Sequence, residues 1–363
     1  MKKHAFSAVL GATIIALLGA ASAVRAADDG RTYKVFIYAG QSNARGKAPN
    51  AIADAQLADP AIKDSVKDLY GSLRKDGKWI VRDDVFFNWE EQNAGVHGPV
   101  TMGMGSYRGG GDYMFASMMG DHFDEPVVIS KSAFGGSTLF HDFRPPSAGL
   151  PSEEVLQKQL TAAQDRVKAL NKRDNKNDPL PTMDDVKKQY GLLYRQVIAD
   201  YKKLTENADK WFPQLKGRKP ELVGFVWFQG WNDQWGGADE YASNLKCFVK
   251  DMRKDLDAPN LRFVVVAMGQ NGSKPAAAAM LTIRDAQMSM NDVPEFKGNV
   301  KAFRSDLLVD KEAERLSTMP KDPERAKYVG DEGYHYYGSP IWYTRIGHTI
   351  GQTMLEVLKN QGK

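Results

Sequence analysis

The 363-residue chain has a single cysteine, Cys247, so no disulfide can form within it. Beyond residue 26 no stretch is long and apolar enough to span a membrane. Lys and Arg are nowhere densely clustered in that part, which argues against a nucleic-acid partner. There is no His-Glu-x-x-His, no Cys/His cluster spaced for zinc and no internal repeat. The glycine-rich run "GMGSYRGGGDYM" (103–114) lacks the Gly-Lys-Ser/Thr of a phosphate loop, so it reads as a flexible loop. Gly-x-Ser-x-Gly fails as well, because Ala44 stands where its last glycine would be.

What is present begins with an export pattern. Lys2 and Lys3 precede an apolar run from Phe6 to Val24, and Val24-Arg25-Ala26 offers small residues at a signal peptidase's spacing. An uncleaved anchor is the alternative, but the run is rich in Ala, Gly, Ser and Thr, which favours removal. Residues 1–26 are therefore predicted to be a signal peptide, leaving 27–363 as one domain that is periplasmic or extracellular, off the membrane once the signal is gone. The segment carries Lys2, Lys3 and Arg25 and no acid, so a formal net charge of +4 becomes +1. With 26% charged and 42% hydrophobic residues, the remainder has ample apolar material for a core.

Five short apolar runs read as strands: 33–39, 125–130, 222–228, 262–268 and 300–304. The middle ones are continuous rather than alternating, as expected of strands covered on both faces. A helix is predicted from Ser152 through Leu156, Leu160, Ala163, Val167 and Leu170. Another starts at Thr182, with Asp185 three residues on, and runs through Val186, Tyr190, Leu193, Val197 and Leu204. The charged stretch 171–181 reads as a solvated connection between them. "YASNLKCFVKDM" suggests a further helix in which Cys247 is a buried, inert thiol. Strands alternating with helices predict a three-layer α/β/α sandwich around a central, mainly parallel sheet of about five strands. In such sheets ligands gather at the carboxyl ends of the strands.

Four segments at strand exits or near the C-terminus carry polar groups suited to chemistry. "GQSN", Gly40 to Asn43, ends the first strand; its serine is either a helix cap or an exposed nucleophile. "SAFGGSTLFHDFRPP" follows the second, with a Gly-Gly pair that lets a backbone N–H approach a ligand. "FQGWNDQW", 228–235, follows the third and supplies amides, a carboxylate and two tryptophans; Trp231 and Trp235 are candidate platforms for sugar rings. "VGDEGYHYYGSP", 329–340, holds His335 in a Gly- and Tyr-rich loop, whereas His348 reads as an ordinary residue of the terminal helix. His97, in "VHGPV", is a possible cleft residue.

Taken in order, these blocks resemble the SGNH hydrolases, in the branch that holds sialate O-acetylesterases and acetyl xylan esterases. That branch writes its nucleophile block Gly-Gln-Ser-Asn, followed here at short range by Gly46. The resemblance implies an SGNH or flavodoxin-like fold and a serine esterase that removes O-acetyl groups from a carbohydrate, without metal or organic cofactor. Ser42 would be the nucleophile and His335 the base. Ser42, Gly136 and Asn232 would form the oxyanion hole. Gln41, Gln229 and Trp231 would contact substrate; Arg144 would either reach it or pin its own loop through an ion pair, the second being preferred. The branch usually has Gln-Gly-Glu after the third strand, but Trp231 stands in the glutamate's place here. The family's aspartate three residues before the histidine is Glu332 here, preceded by Asp331. Glu332 is thus the first choice to orient His335, with Asp331 and Asp233 behind it. Two other functions remain open: an inactive carbohydrate-binding protein on an esterase scaffold, and an esterase for lipid or aryl esters. Oligomeric state is not legible.

Overall fold

The computed structural model describes residues 31–91, 94–102 and 108–360. The signal peptide expected at 1–26 and residues 103–107 of the glycine-rich run lie outside the described residues.

The central sheet has seven strands: β1 (Thr32–Gly40), β2 (Val85–Glu91), β3 (Ala94–Pro99), β4 (Val127–Ala133), β5 (Lys219–Phe228), β6 (Arg262–Ala267) and β7 (Val300–Arg304). Their order is β7-β6-β5-β1-β4-β2-β3, parallel throughout except for the antiparallel pair of β2 and β3. The five expected strands are all there, and the expectation of about five is corrected to seven by β2 and β3. The latter is hard to read from sequence because "AGVHGP" is made largely of residues that strands disfavour.

Helices cover both faces, giving three layers. Phe36 and Tyr38 of β1 pack with Phe115 and Met119 of α2 (Gly111–His122) and with Trp342, Ile346 and Ile350 of α7 (Pro340–Lys359). Ile37 and Ala39 face the other way, onto Tyr194 and Val197 of α4 (Leu192–Trp211), Phe248 of α5 (Tyr241–Asp255) and Ile283 of α6 (Ala278–Met288). Every residue of β1 after Thr32 is buried, Lys34 included, and from Val35 to Ala39 the strand is apolar without alternation.

The helix expected from Ser152 is α3 (Glu153–Asp174), with the Ser152 side chain accepting from Val155 N–H. At Thr182 the capping box with Asp185 is complete. The helix it opens does not continue to Leu204: it ends at Gln189, and α4 restarts after Gly191, whose φ of +68° is left-handed and comfortable only for glycine. Cys247 lies on α5 as expected but is half-buried rather than buried.

Candidate active site

The three central strands end level. Gly40 is in register with Ala133 of β4 on one side and Phe228 of β5 on the other. The connections from β1 lead first to one side of the sheet and later, through β5, to the other, so β1 marks a topological switch point, where open α/β sheets form their crevice. Only glycine fits position 40: its φ is +154°, and a Cβ there would stand 2.1 Å from the Phe228 carbonyl oxygen. The chain leaves this close approach directly into α1 (Ser42–Arg45).

Ser42 opens that short helix, and its Oγ lies 3.0 Å from His335 Nε2. The other ring nitrogen, Nδ1, lies 3.1 Å from Asp331 Oδ1. The imidazole is therefore held between a hydroxyl and a carboxylate, and with Nδ1 donating to Asp331 its Nε2 is left to accept from Ser42. Glu332 is not in that place. Its carbonyl accepts the N–H groups of His335 (2.9 Å) and Tyr337 (3.1 Å), so the chain turns tightly at Glu332 and leaves its side chain in solvent. Asp331, four residues before the histidine, is carried inward by the same turn, and its Oδ1 also accepts Glu332 N–H at 2.7 Å.

The turn is held against its own preference. Tyr336 and Tyr337 have φ of +51° and +57°, a left-handed conformation that bulky residues adopt only when the surroundings impose it. The surroundings do so: the Tyr336 ring is fully buried against Phe228, Trp342 and Tyr343, and its hydroxyl bonds Ser305 Oγ at 2.9 Å. The Tyr337 carbonyl accepts both Gly330 N–H and Asp331 N–H.

Two residues that sequence reasoning passed over tie this loop to the serine. Asn43 donates to the Tyr334 carbonyl (3.1 Å) and accepts from the Tyr343 hydroxyl (2.5 Å), fastening the residue before His335 to the residue after Ser42. The only signal for it was its place in "GQSN". Lys131, in a buried ion pair with Asp112, donates to the Arg45 carbonyl at 2.8 Å and so holds the end of α1. Its cation also lies over the Trp89 ring.

On the other side of Ser42, Asn232 sits in a short turn, Trp231–Trp235. Its Oδ1 accepts from Gln41 Nε2 at 3.0 Å, while Gln41 Oε1 accepts Gly230 N–H at 3.0 Å. The Gln41 amide thereby fixes which way the Asn232 amide faces, leaving Nδ2 toward Gly136: a Cβ on Gly136 would stand 4.0 Å from it. Gly136 itself has a left-handed φ of +74°.

Several expected substrate contacts turn inward. Gln41 and Gln229 are each only 2% exposed, and both amides are engaged within the protein. Gln229 donates to the Ser137 carbonyl and to Asp233, and accepts from the Tyr241 hydroxyl. Asp233 stays away from His335: its two oxygens accept from Gln229 and from the N–H groups of Leu139 and Phe140, which draws the segment after β4 onto the exit of β5. Burial pushes its carboxyl up to about 6, against the pull of those three donors. Arg144 is buried too, donating to the Gly149 and Phe140 carbonyls and pairing with Glu240, the loop-pinning arrangement. His97 stacks on Trp211 at 3.9 Å and lines a groove with Phe134 instead of approaching Ser42. A groove of about 1010 Å³ opens at the other end of the sheet, where β6 and β7 begin, and neither serine nor histidine lines it.

Residues 182–316 match the family model described as carbohydrate esterase, sialic acid-specific acetylesterase. Over this stretch, well under half of its length, the chain is similar to that family. The matched stretch contains the exit of β5 with Gln229, Asn232 and Asp233, but neither Ser42 nor His335. No curated protein matches the chain. Among solved structures, a protein from Arabidopsis thaliana is 14% identical over 89% of this chain and 97% of that one, with a TM-score of 0.46. A carbohydrate acetylesterase from Xanthomonas citri is 17% identical over 81% of this chain, which spans about half (53%) of that protein's length, with a TM-score of 0.44.

Proposed function

We propose that the protein is a serine esterase that removes O-acetyl groups from a carbohydrate through an acyl-enzyme, and that residues 1–26 direct its export. The observation that carries this reading is the Ser42 Oγ to His335 Nε2 contact of 3.0 Å, with Asp331 on the opposite ring nitrogen. The match to a carbohydrate esterase model supports the substrate class.

In this mechanism His335 Nε2 takes the hydroxyl proton as Ser42 Oγ attacks the acetyl carbonyl carbon. The carbonyl oxygen becomes an oxyanion, held by the N–H groups of Ser42 and Gly136 and by Asn232 Nδ2. The tetrahedral centre collapses by breaking the bond to the sugar oxygen, which leaves with the proton from His335. Water then repeats the sequence on the acetyl-serine: His335 removes its proton, acetate departs, and the proton returns to Ser42. Asp331 keeps the imidazole in the tautomer with its proton on Nδ1 and stabilises the imidazolium. Gln41 acts by orienting Asn232.

The test is acetate release from p-nitrophenyl acetate and from acetylated polysaccharides by the purified protein. The parent is expected to turn over and Ser42→Ala to lose that activity entirely; equal turnover by the two removes Ser42 as nucleophile.

A further inference from the structure

Beside His335 the surface carries two exposed aromatic rings joined by a third, Trp231, which also packs against the core. Trp235 is 70% exposed and Tyr334 is 44% exposed, and both adjoin Trp231. The Trp231 and Tyr334 rings are 6.1 Å apart and tilted by only 34°, so together they make a shelf. Trp235 stands at 75° to Trp231, 5.9 Å away, as a wall at its edge. At the other end Tyr334 meets the His335 ring edge-on at 4.4 Å.

The backbones that present these rings are fixed. Trp231 and Trp235 are the two ends of a turn whose middle residue, Asp233, is buried and takes three hydrogen bonds. The same turn that drives its acid inward leaves a tryptophan open at its far end. The Tyr334 carbonyl is held by Asn43. Rings already in place lose little freedom on binding, which favours a ligand. Exposed aromatic surface of this kind, next to a candidate nucleophile and without Lys or Arg in the cluster, fits a neutral ligand with an apolar face and a hydroxylated edge. A pyranose ring has that form.

Resting on the esterase reading above, we propose that Trp231, Tyr334 and Trp235 form a subsite for a neutral pyranose residue next to the acetylated one, so that the substrate is a polymeric glycan. The acetylated residue sits at Ser42 and its neighbour in the chain stacks in the aromatic corner.

The experiment compares the parent with Trp235→Ala on p-nitrophenyl acetate, 2-naphthyl acetate and acetylated xylan. The variant is expected to keep its kcat/KM on p-nitrophenyl acetate within about twofold, and to raise KM on acetylated xylan about tenfold, the scale of one lost aromatic contact. In parallel, Ser42→Ala is run in native gels containing deacetylated xylan: retardation is expected, and Ser42→Ala combined with Trp235→Ala is expected to migrate freely. Equal losses on p-nitrophenyl acetate and xylan would make Trp235 a support of the site, and no loss on xylan would leave it idle; either overturns the subsite. A loss confined to 2-naphthyl acetate would overturn it in favour of aryl recognition. If the parent hydrolyses no ester yet xylan retards Ser42→Ala through Trp235, the esterase reading fails while the aromatic corner stands.

Discussion

Two His–Asp pairs among the described residues have the same length. His335 Nδ1 and Asp331 Oδ1 are 3.1 Å apart, and so are His141 Nδ1 and Asp142 Oδ1. What separates them is the second nitrogen and the second oxygen. Nε2 of His335 reaches Ser42 Oγ, whereas the His141 ring packs against Tyr190. Asp142 gives its other oxygen to the N–H and hydroxyl of Thr138, and its carbonyl receives Leu193 N–H at the start of α4, so this pair clamps a loop to a helix. The pairs also differ in shelter: side-chain exposure is 13% and 16% for His335 and Asp331 but 31% and 32% for His141 and Asp142. A carboxylate on an imidazole is thus a device for holding the ring, and what differs is whether the second nitrogen meets a hydroxyl.

The largest expected effect tests that distinction. Asp331→Asn keeps the shape of the side chain but presents the wrong partner to Nδ1, and a triad carboxylate changed in this way costs about 10⁴ in kcat. Steady-state kinetics on p-nitrophenyl acetate should show a loss of that order with the melting temperature nearly unchanged. A loss below about tenfold would mean that Ser42 and His335 act as a dyad. Next in size is Asn232→Ala, which removes one proposed oxyanion donor and should lower kcat about 10²–10³ with KM little changed. Gln41→Ala, which removes only the partner of the Asn232 oxygen, should fall between that variant and the parent.

Asp142→Ala should act in the opposite currency. Leaving the Thr138 N–H without its acceptor is expected to lower stability by about 1 kcal/mol in urea unfolding. Turnover per folded molecule should remain within about threefold of the parent; a kcat loss approaching that of Asp331→Asn would end the contrast between the pairs.

The acids also differ in how pH touches them. For Asp142 burial raises the carboxyl, but hydrogen bonds from His141 and from Thr138 N–H bring it below its ordinary value. Its contribution to stability is present above the unfolded pKa near 4 and is lost as pH falls through the folded value. Asp233 runs the other way. Burial lifts its carboxyl to about 6 from 3.8, so the folded state binds more protons between those values, and its contribution is full below about pH 4 and lost as pH rises through 6. The loss is on the order of 3 kcal/mol. Asp233→Asn cannot ionise, so the unfolding free energy of the parent relative to this variant should decline by that order between pH 4 and 7. A difference that stays flat across the range would show that the three donors offset the burial of the charge completely.

Much of this site could be read before the fold was known because strand exits concentrate polar residues after apolar runs. "VFIYAGQSN" states both the buried strand and the group at its end, and five of the six parallel strands were legible for the same reason. Gln41 and Gln229 were legible as polar residues at such exits, but nothing in their identity reveals that each amide is engaged within the protein. That depends on which strand lies beside which. β3 was hidden because its residues disfavour a strand, and only pairing with β2 makes it one. Lys131 was hidden inside a strand, where a charged residue gives no hint of its buried partner Asp112.

The acid behind His335 was the hardest to read, and Glu332, the residue that spacing favours for that role, carries the smallest predicted effect. Spacing from the family pattern favours Glu332, three residues before the histidine, because a regular turn would bring that side chain to the ring. The chain does not make a regular turn: after His335 two left-handed tyrosines fold it back, so that the Tyr337 carbonyl takes the Gly330 and Asp331 N–H groups, and the residue facing Nδ1 is the fourth one back. Glu332 contributes its carbonyl and N–H, which any residue except proline would supply equally. Glu332→Ala should therefore keep kcat on p-nitrophenyl acetate within about twofold and stability within about 0.5 kcal/mol, as for an exposed side chain without a buried partner. If it instead loses kcat as Asp331→Asn does, the loop must rearrange when substrate binds, and the left-handed turn at Tyr336 and Tyr337 would be the segment that moves.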